Sequence, residues 1–180
     1  MGCSDAEGGF LAGAGAGGPG QGLAGLSTGR SLRSSAMPYS VHDERVTPED
    51  AEAILRQYFA PWIQELGLRV EEVGGRHALV RLPWSDSLAR EGGGLCGQAM
   101  MAAADTATVI AISSARGGFV PMTTVQQSTT FQRPVIGRDV LLDVRVTKLG
   151  RSLAFSEVTL TPDGDGDPAA HASTVYAILG

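Results

Sequence analysis

From Ala99 to Ala115 the chain carries one charged side chain, Asp105, among Ala, Met, Thr, Val, Ile and Ser. No other segment restricts the fold so strongly. A helix that is apolar on all sides has to be buried on all sides, and its many small residues let a curved sheet approach the helix backbone closely. The segment is opened by Gly92-Gly93-Gly94-Leu95-Cys96-Gly97. It is too short, and too rich in Ala, Thr and Ser, for a membrane span.

A lone carboxylate in such surroundings loses hydration, so it must find hydrogen-bond donors, lie at an opening or have a raised pKa. Each outcome suits a general base or a nucleophile. The competing reading is an Asp that only accepts hydrogen bonds from Thr or main-chain groups. The glycine-rich approach weighs against it, because it exposes N–H groups at a positive helix end where a carbonyl oxygen gaining negative charge can be held. A carboxylate and an oxyanion site on one helix suggest acyl transfer. Gly97 and Asp105 are eight residues apart, which is about 12 Å along one helix. One chain cannot bring both to one scissile carbonyl, so if both act, the site lies at the interface of a two-fold dimer.

The ordered part opens at Thr47-Pro48-Glu49-Asp50, with Thr as cap, Pro at the first helical position and acidic residues at the positive end. Ile54, Leu55, Tyr58, Phe59, Trp62, Ile63 and Leu66 follow at helical spacing, with Pro61 as a kink and Gly67 as the stop. This predicts one amphipathic helix whose aromatic stripe is core. Strands are expected over Leu68–Val73 and His77–Pro83, joined at Gly74-Gly75, and, beyond the apolar helix, over Val120–Phe131, Asp139–Lys148, Ser152–Thr161 and Ala170–Leu179. Within the fourth of these, Val140, Leu142, Val144 and Val146 alternate with Asp139, Asp143, Arg145 and Thr147, which marks a strand with one buried face. The order α-β-β-α-β-β-β-β makes the chain an α+β protein with an antiparallel sheet wrapped on the central helix.

The 180 residues are 43% hydrophobic with a formal net charge of −5, enough apolar material for one real core and no basic field for nucleic acid or an anionic membrane. Residues 1–38 hold 11 of the 25 glycines and are expected to form a disordered, low-complexity tail, leaving 39–180 as a single domain. The G-x-G-x-x-G match at Gly13 to Gly18 has neither a preceding strand nor a following amphipathic helix. Met1-Gly2-Cys3 lacks the hydroxyl residue at position 6 that acylation favours. No basic residue precedes Phe10-Leu11, so a secretory signal is not expected. Cys3 and Cys96 lie in unlike contexts and suit a reducing cytoplasm. His42, His77 and His171 show no ligand spacing, so no metal is expected. The run Asp163 to Asp167 has Thr174 where a calcium loop needs its bidentate Glu and reads as a solvated turn. Cys96 near a helix N-terminus has one reading as a thiolate nucleophile and another, favoured because no His is placed to pair with it, as a small, buried, weakly polar residue.

Three stretches carry a family resemblance: Cys96–Ala107, Thr123–Pro134 and Lys148–Leu153. They resemble the hotdog-fold acyl-CoA thioesterases, in particular the phenylacetate-pathway and 4-hydroxybenzoyl-CoA type, over roughly Leu68 to Leu179. In that family the first stretch reads His-Gly-Gly, six residues, then Asp or Glu, a small polar residue and Ala. Here Gly97 falls on the first glycine and Asp105 on the carboxylate, while Cys96 replaces the His and Gln98 the second glycine. The family's upstream Asn or Gln falls near Arg90 or Glu91.

The resemblance implies a hotdog fold with an additional N-terminal helix. It implies Asp105 as base or nucleophile and the partner subunit's Gly97 amide as the group that polarises the thioester carbonyl. Cys96, Gln98 and Thr106 would border the substrate, and Gly150, Arg151 and Ser152 would lie near the coenzyme A phosphates, which Arg suits. The implied assembly is a homodimer or homotetramer. Coenzyme A enters as part of the substrate, with no separate cofactor. Two other readings stay open: a hotdog protein that binds acyl-CoA without turnover, and a hotdog hydratase or dehydratase, which would rely on a His that this helix lacks.

Overall fold

The computed structural model describes residues 46–179. The expected tail at 1–38, with the glycine motif and the acylation signal on it, lies outside the described residues. In chain order the elements are α1 (Pro48–Tyr58), α2 (Pro61–Gln64), β1 (Arg69–Gly74), β2 (His77–Leu82), a 3-10 turn (Asp86–Leu88), α3 (Gly97–Arg116), β3 (Met122–Phe131), β4 (Val140–Leu149), β5 (Leu153–Pro162) and β6 (Ala170–Ile178).

Thr47 and Asp50 form a reciprocal capping box at the start of α1, each side chain accepting from the other's main-chain N–H. The single kinked helix expected through Leu66 is instead two helices. Phe59 takes an extended conformation as the α1 C-cap and Ala60 is also non-helical, because a residue before proline is pushed out of the α region. The aromatic stripe is consequently not all core. Trp62 and Tyr58 are exposed, and Tyr58 stacks on Phe119 with ring centroids 3.7 Å apart. The β1–β2 turn also moves by one residue, to Gly75-Arg76, where Gly75 has φ +57°. Gly74 is still paired, opposite His77.

The six strands form one sheet in the order β1-β2-β4-β5-β6-β3, and every neighbouring pair is antiparallel. β3 is therefore an edge strand, reached by a chain that crosses under the sheet as α3. Register shifts at Glu71, Val125 and Thr147 interrupt the ladders; such bulges bend and twist a sheet locally. The bent sheet wraps α3. Ala103, Ala104, Ala107 and Ala111 are fully buried against it, and their lack of bulk lets Leu82, Val140, Leu142, Val144 and Leu160 fill the space over the helix backbone.

Burial around α3 is not uniform, contrary to the all-round burial expected from its composition. From Thr106 to Ser114 every residue is buried, but nearer the N-terminus Gln98 and Met101 are exposed and Ala102 and Asp105 partly exposed. These four recur at i, i+3, i+4 and i+7, one stripe of a helix. The sheet leaves that stripe uncovered.

Candidate active site

Asp105 stands at the end of the open stripe, and its two oxygens are treated differently. Oδ1 accepts a hydrogen bond from Thr124 Oγ1 at 2.9 Å and a short one from the Tyr176 hydroxyl. The same hydroxyl lies 3.0 Å from the Asp105 main-chain carbonyl. Oδ2 has no protein partner among the described residues, yet it is not sealed from solvent. Of the three outcomes open to a lone carboxylate, two are realised together: donors on one oxygen and an opening at the other. Thr124 and Tyr176 face each other across the β3–β6 ladder, and the bulge at Val125 directly follows Thr124. Burial, then the Asp105 charge, push the Tyr176 phenol well above its ordinary pKa, so it remains a donor.

Neither donor is marked in the sequence. Thr124 is one of several Thr in its strand, and Tyr176 has the spacing of an ordinary core residue. The period-2 pattern does put Tyr176 on the buried face of β6, but which helix residue it meets depends on the sheet's closure.

The second part of the site is the start of α3. Gly92 and Gly93 adopt φ +84° and +73° in a tight turn closed by Arg90 N–H to the Gly94 carbonyl at 2.8 Å. Leu95 N–H then donates to Val135 O and Cys96 N–H to Leu88 O, at 2.8 and 2.9 Å. Cys96 occupies the N-cap but its side chain makes no capping bond. Among the described residues the N–H groups of Gly97, Gln98 and Ala99 have no acceptor, as a helix start without a cap requires. Cys96 is partly exposed and not buried as expected, and Gln98 is exposed. Gly97 borders a cleft of about 390 Å³ shared with Arg90, Leu95, Met100, Phe131 and Pro134. A Cβ at Gly97 would lie 3.1 Å from the Phe131 ring, so the glycine is what lets the ring lie over the helix start.

Asp105 does not border that cleft. Thr106, next to it, is turned into the core and is 1% exposed. Gly150, Arg151 and Ser152 form the β4–β5 turn. Their main chain is fixed by Gly150 N–H to Leu153 O at 2.8 Å and by Arg116 of α3, whose guanidinium donates to the carbonyls of Gly150 and Arg151. The Arg151 side chain is exposed. This turn therefore sits at the C-terminal end of α3, opposite the end that holds Gly97. A further cleft, about 380 Å³, lies between α1 and β1 and includes Leu55, Ile63 and Leu68 but neither Asp105 nor Gly97.

The loop Asp163 to Asp167 is more than a solvated turn. Asp163 pairs with Arg81 at 2.6 Å, and Asp165 with Arg133 at 2.8 Å. Arg133 continues to the Pro168 and Asp167 carbonyls, which ties the chain just past β3 to the entry of β6. Among the described residues no group of three or more His, Cys, Asp or Glu is placed to hold a metal ion.

The model of the thioesterase superfamily matches residues 92–169, from the glycine turn to the start of β6. Over this stretch the chain is similar to the hotdog-fold thioesterases. Solved structures share the fold. A candidate thioesterase of Silicibacter sp. TM1040 is 28% identical with a TM-score of 0.68, the match covering 74% of this chain and 92% of that one. The E. coli PaaI protein from the phenylacetic acid degradation operon is 16% identical with a TM-score of 0.65, over 73% and 92% of the two chains. A candidate thioesterase of Streptococcus pneumoniae, solved with coenzyme A, is 16% identical with a TM-score of 0.58, over 63% and 86%. No curated protein matches the chain. No described helix is long and apolar enough to cross a membrane.

Proposed function

We propose that the protein is an acyl-CoA thioesterase, hydrolysing a thioester to a free carboxylic acid and coenzyme A. The observation that carries this reading is the divided environment of Asp105: one oxygen held by two hydroxyls, the other facing the uncovered stripe of α3. Such a carboxylate is fixed and available. Asp105 Oδ2 takes a proton from water as the water oxygen adds to the thioester carbon; alternatively Oδ2 itself adds, and water then hydrolyses the mixed anhydride. In either route the carbonyl oxygen becomes negative and is held by the free Gly97 N–H at the positive end of α3. The C–S bond then breaks and the thiolate leaves, taking a proton to give coenzyme A.

Gly97 and Asp105 on one helix are about 12 Å apart and about 80° apart around its axis. Two copies related by a two-fold axis, each covering the other's open stripe, would bring Gly97 of one to Asp105 of the other. The exposed Met101 of that stripe and the exposed Val125 of the adjoining β3 give a dimer apolar surface to bury. The turn Gly150-Arg151-Ser152 lies beyond the C-terminal end of α3, about 16 Å past Asp105 along the axis, a reach suited to coenzyme A phosphates when the thioester is at Asp105. Cys96 and Gln98 then border the substrate at the helix start, and Thr106 supports Asp105 from the core.

The test is free thiol release from aryl-, short- and long-chain acyl-CoAs by the wild type, Asp105→Asn and Cys96→Ser. Hydrolysis lost in Asp105→Asn alone, with acyl-CoA binding kept, supports the reading. Hydrolysis that survives Asp105→Asn and disappears in Cys96→Ser overturns it. Tight acyl-CoA binding by a wild type that releases no thiol favours the non-catalytic binder.

A further inference from the structure

We infer that Tyr176 is a positioning residue of the hydrolytic site: its phenol, together with Thr124, holds Asp105 Oδ1 so that Oδ2 alone meets the reacting atoms. The inference rests on the proposal that Asp105 is the acting carboxylate. It adds what decides which of its oxygens acts.

A free Asp carboxylate rotates broadly about its last torsion, so its two oxygens are interchangeable and its lone pairs have no fixed aim. Fixing that torsion before substrate arrives removes an entropic cost from the reaction. The hydroxyl that does so must itself be immobile. Tyr176 is 2% exposed, on β6, which is flanked by β5 and β3 within the sheet. It spans the gap from sheet to helix and reaches Asp105 at two atoms, Oδ1 and the main-chain carbonyl. The phenol therefore refers the carboxylate to the helix backbone as well as to the sheet. Thr124, opposite Tyr176 on the adjacent strand, supplies the second donor to the same oxygen. With Oδ1 doubly occupied and Oδ2 without a partner among the described residues, the two oxygens are no longer equivalent.

A purely structural Tyr176 is the rival reading. A bond to the Asp105 carbonyl would pin α3 to the sheet and matter only for stability. The two differ in what removing the hydroxyl does to turnover. Asp105 is the charged group that acts on Tyr176, and among the described residues the polar side-chain groups bonded to this carboxylate are Tyr176 and Thr124. Loss of the phenol O–H destabilises the charged carboxylate specifically.

The experiment is Tyr176→Phe in the full chain, which keeps the ring, assayed for thiol release beside Asp105→Asn. A hydrogen bond to a charged group predicts a kcat lower by about 10- to 100-fold, KM changed by less than about threefold because no substrate contact is lost, and the acid limb of kcat against pH displaced upward. If Tyr176→Phe lowers the melting temperature but leaves kcat and the acid limb where they were, while Asp105→Asn is inactive, the positioning role is overturned and the thioesterase reading stands. If Asp105→Asn is itself active, the reading beneath it fails. Should Tyr176→Phe not be recovered folded, 3-fluorotyrosine at position 176 keeps the shape and strengthens the donor. The acid limb then moves downward, and an unmoved limb overturns the inference.

Discussion

Gly97 and Phe131 are in contact at the closest approach a side chain would permit: a Cβ on Gly97 would stand 3.1 Å from the ring's Cζ. Phe131 is 44% exposed, so the ring can yield. Gly97→Ala should leave the melting temperature nearly unchanged, since Ala also favours the helix. Its methyl displaces the ring over the cleft and away from the Gly97 N–H. Thiol release at saturating and limiting acyl-CoA should show kcat/KM reduced by about tenfold or more, in the range lost when an oxyanion donor is disturbed.

Asp105→Asn keeps the shape of the side chain and removes its charge. Hydrolysis should fall by about 10²- to 10⁴-fold, the usual span for a lost acid–base group. Binding of a non-hydrolysable acyl-CoA analogue, followed by calorimetry, should persist. Thr124→Val removes one of the two donors to Oδ1 and should give a smaller loss, about tenfold, in line with one hydrogen bond to a charged group.

Met101, on the open stripe of α3, is exposed, as is Val125 on β3, the strand that meets the stripe through Thr124 and Gln127. If a second copy covers them, Met101→Lys with Val125→Lys places like charges across the two-fold contact and disfavours association. Sedimentation should show the wild type as a dimer or larger and the double variant shifted to monomer, with activity falling in parallel. Full activity in a demonstrably monomeric variant would mean that Gly97 and Asp105 do not act together across an interface.

Acid should weaken the fold through its loop clasps. The main-chain N–H of Trp84, and after it Arg81, hold the Asp139 carboxyl below its ordinary pKa, and Arg133 does the same for Asp165. A carboxyl with a depressed folded pKa contributes stability that is present above its unfolded value of about 3.9 and is lost as pH falls through the lower folded value. Urea midpoints should therefore be flat from neutrality to about pH 5 and decline below about pH 4. Asp139→Asn should flatten that decline, measurable by fluorescence of Trp84.

β4, from Val140 to Leu149, was legible because apolar and polar residues alternate along it and give a full inward row, whereas β3, mostly Thr, Gln and Ser, has no such alternation. The glycine turn before α3 was legible because Gly92 and Gly93 sit where only residues tolerant of positive φ fit. Misreadings fell where periodicity was followed past a local veto. The pattern through Trp62 and Ile63 is helical, but Pro61 overrides it at Phe59 and Ala60. Asp163 and Asp165 look solvated because their partners, Arg81 and Arg133, are far away along the chain.

By itself, the sequence determined the local terms: which segments bury a face, where the chain must turn, and that one carboxylate stands on a helix of small apolar residues. Those follow from side-chain chemistry and spacing. Only the tertiary structure decided that α3 has an open stripe at its N-terminal half, and that Thr124 and Tyr176 converge on one oxygen of Asp105. Both depend on how a bulged sheet closes over the helix, and that closure is set by contacts between residues dozens of positions apart.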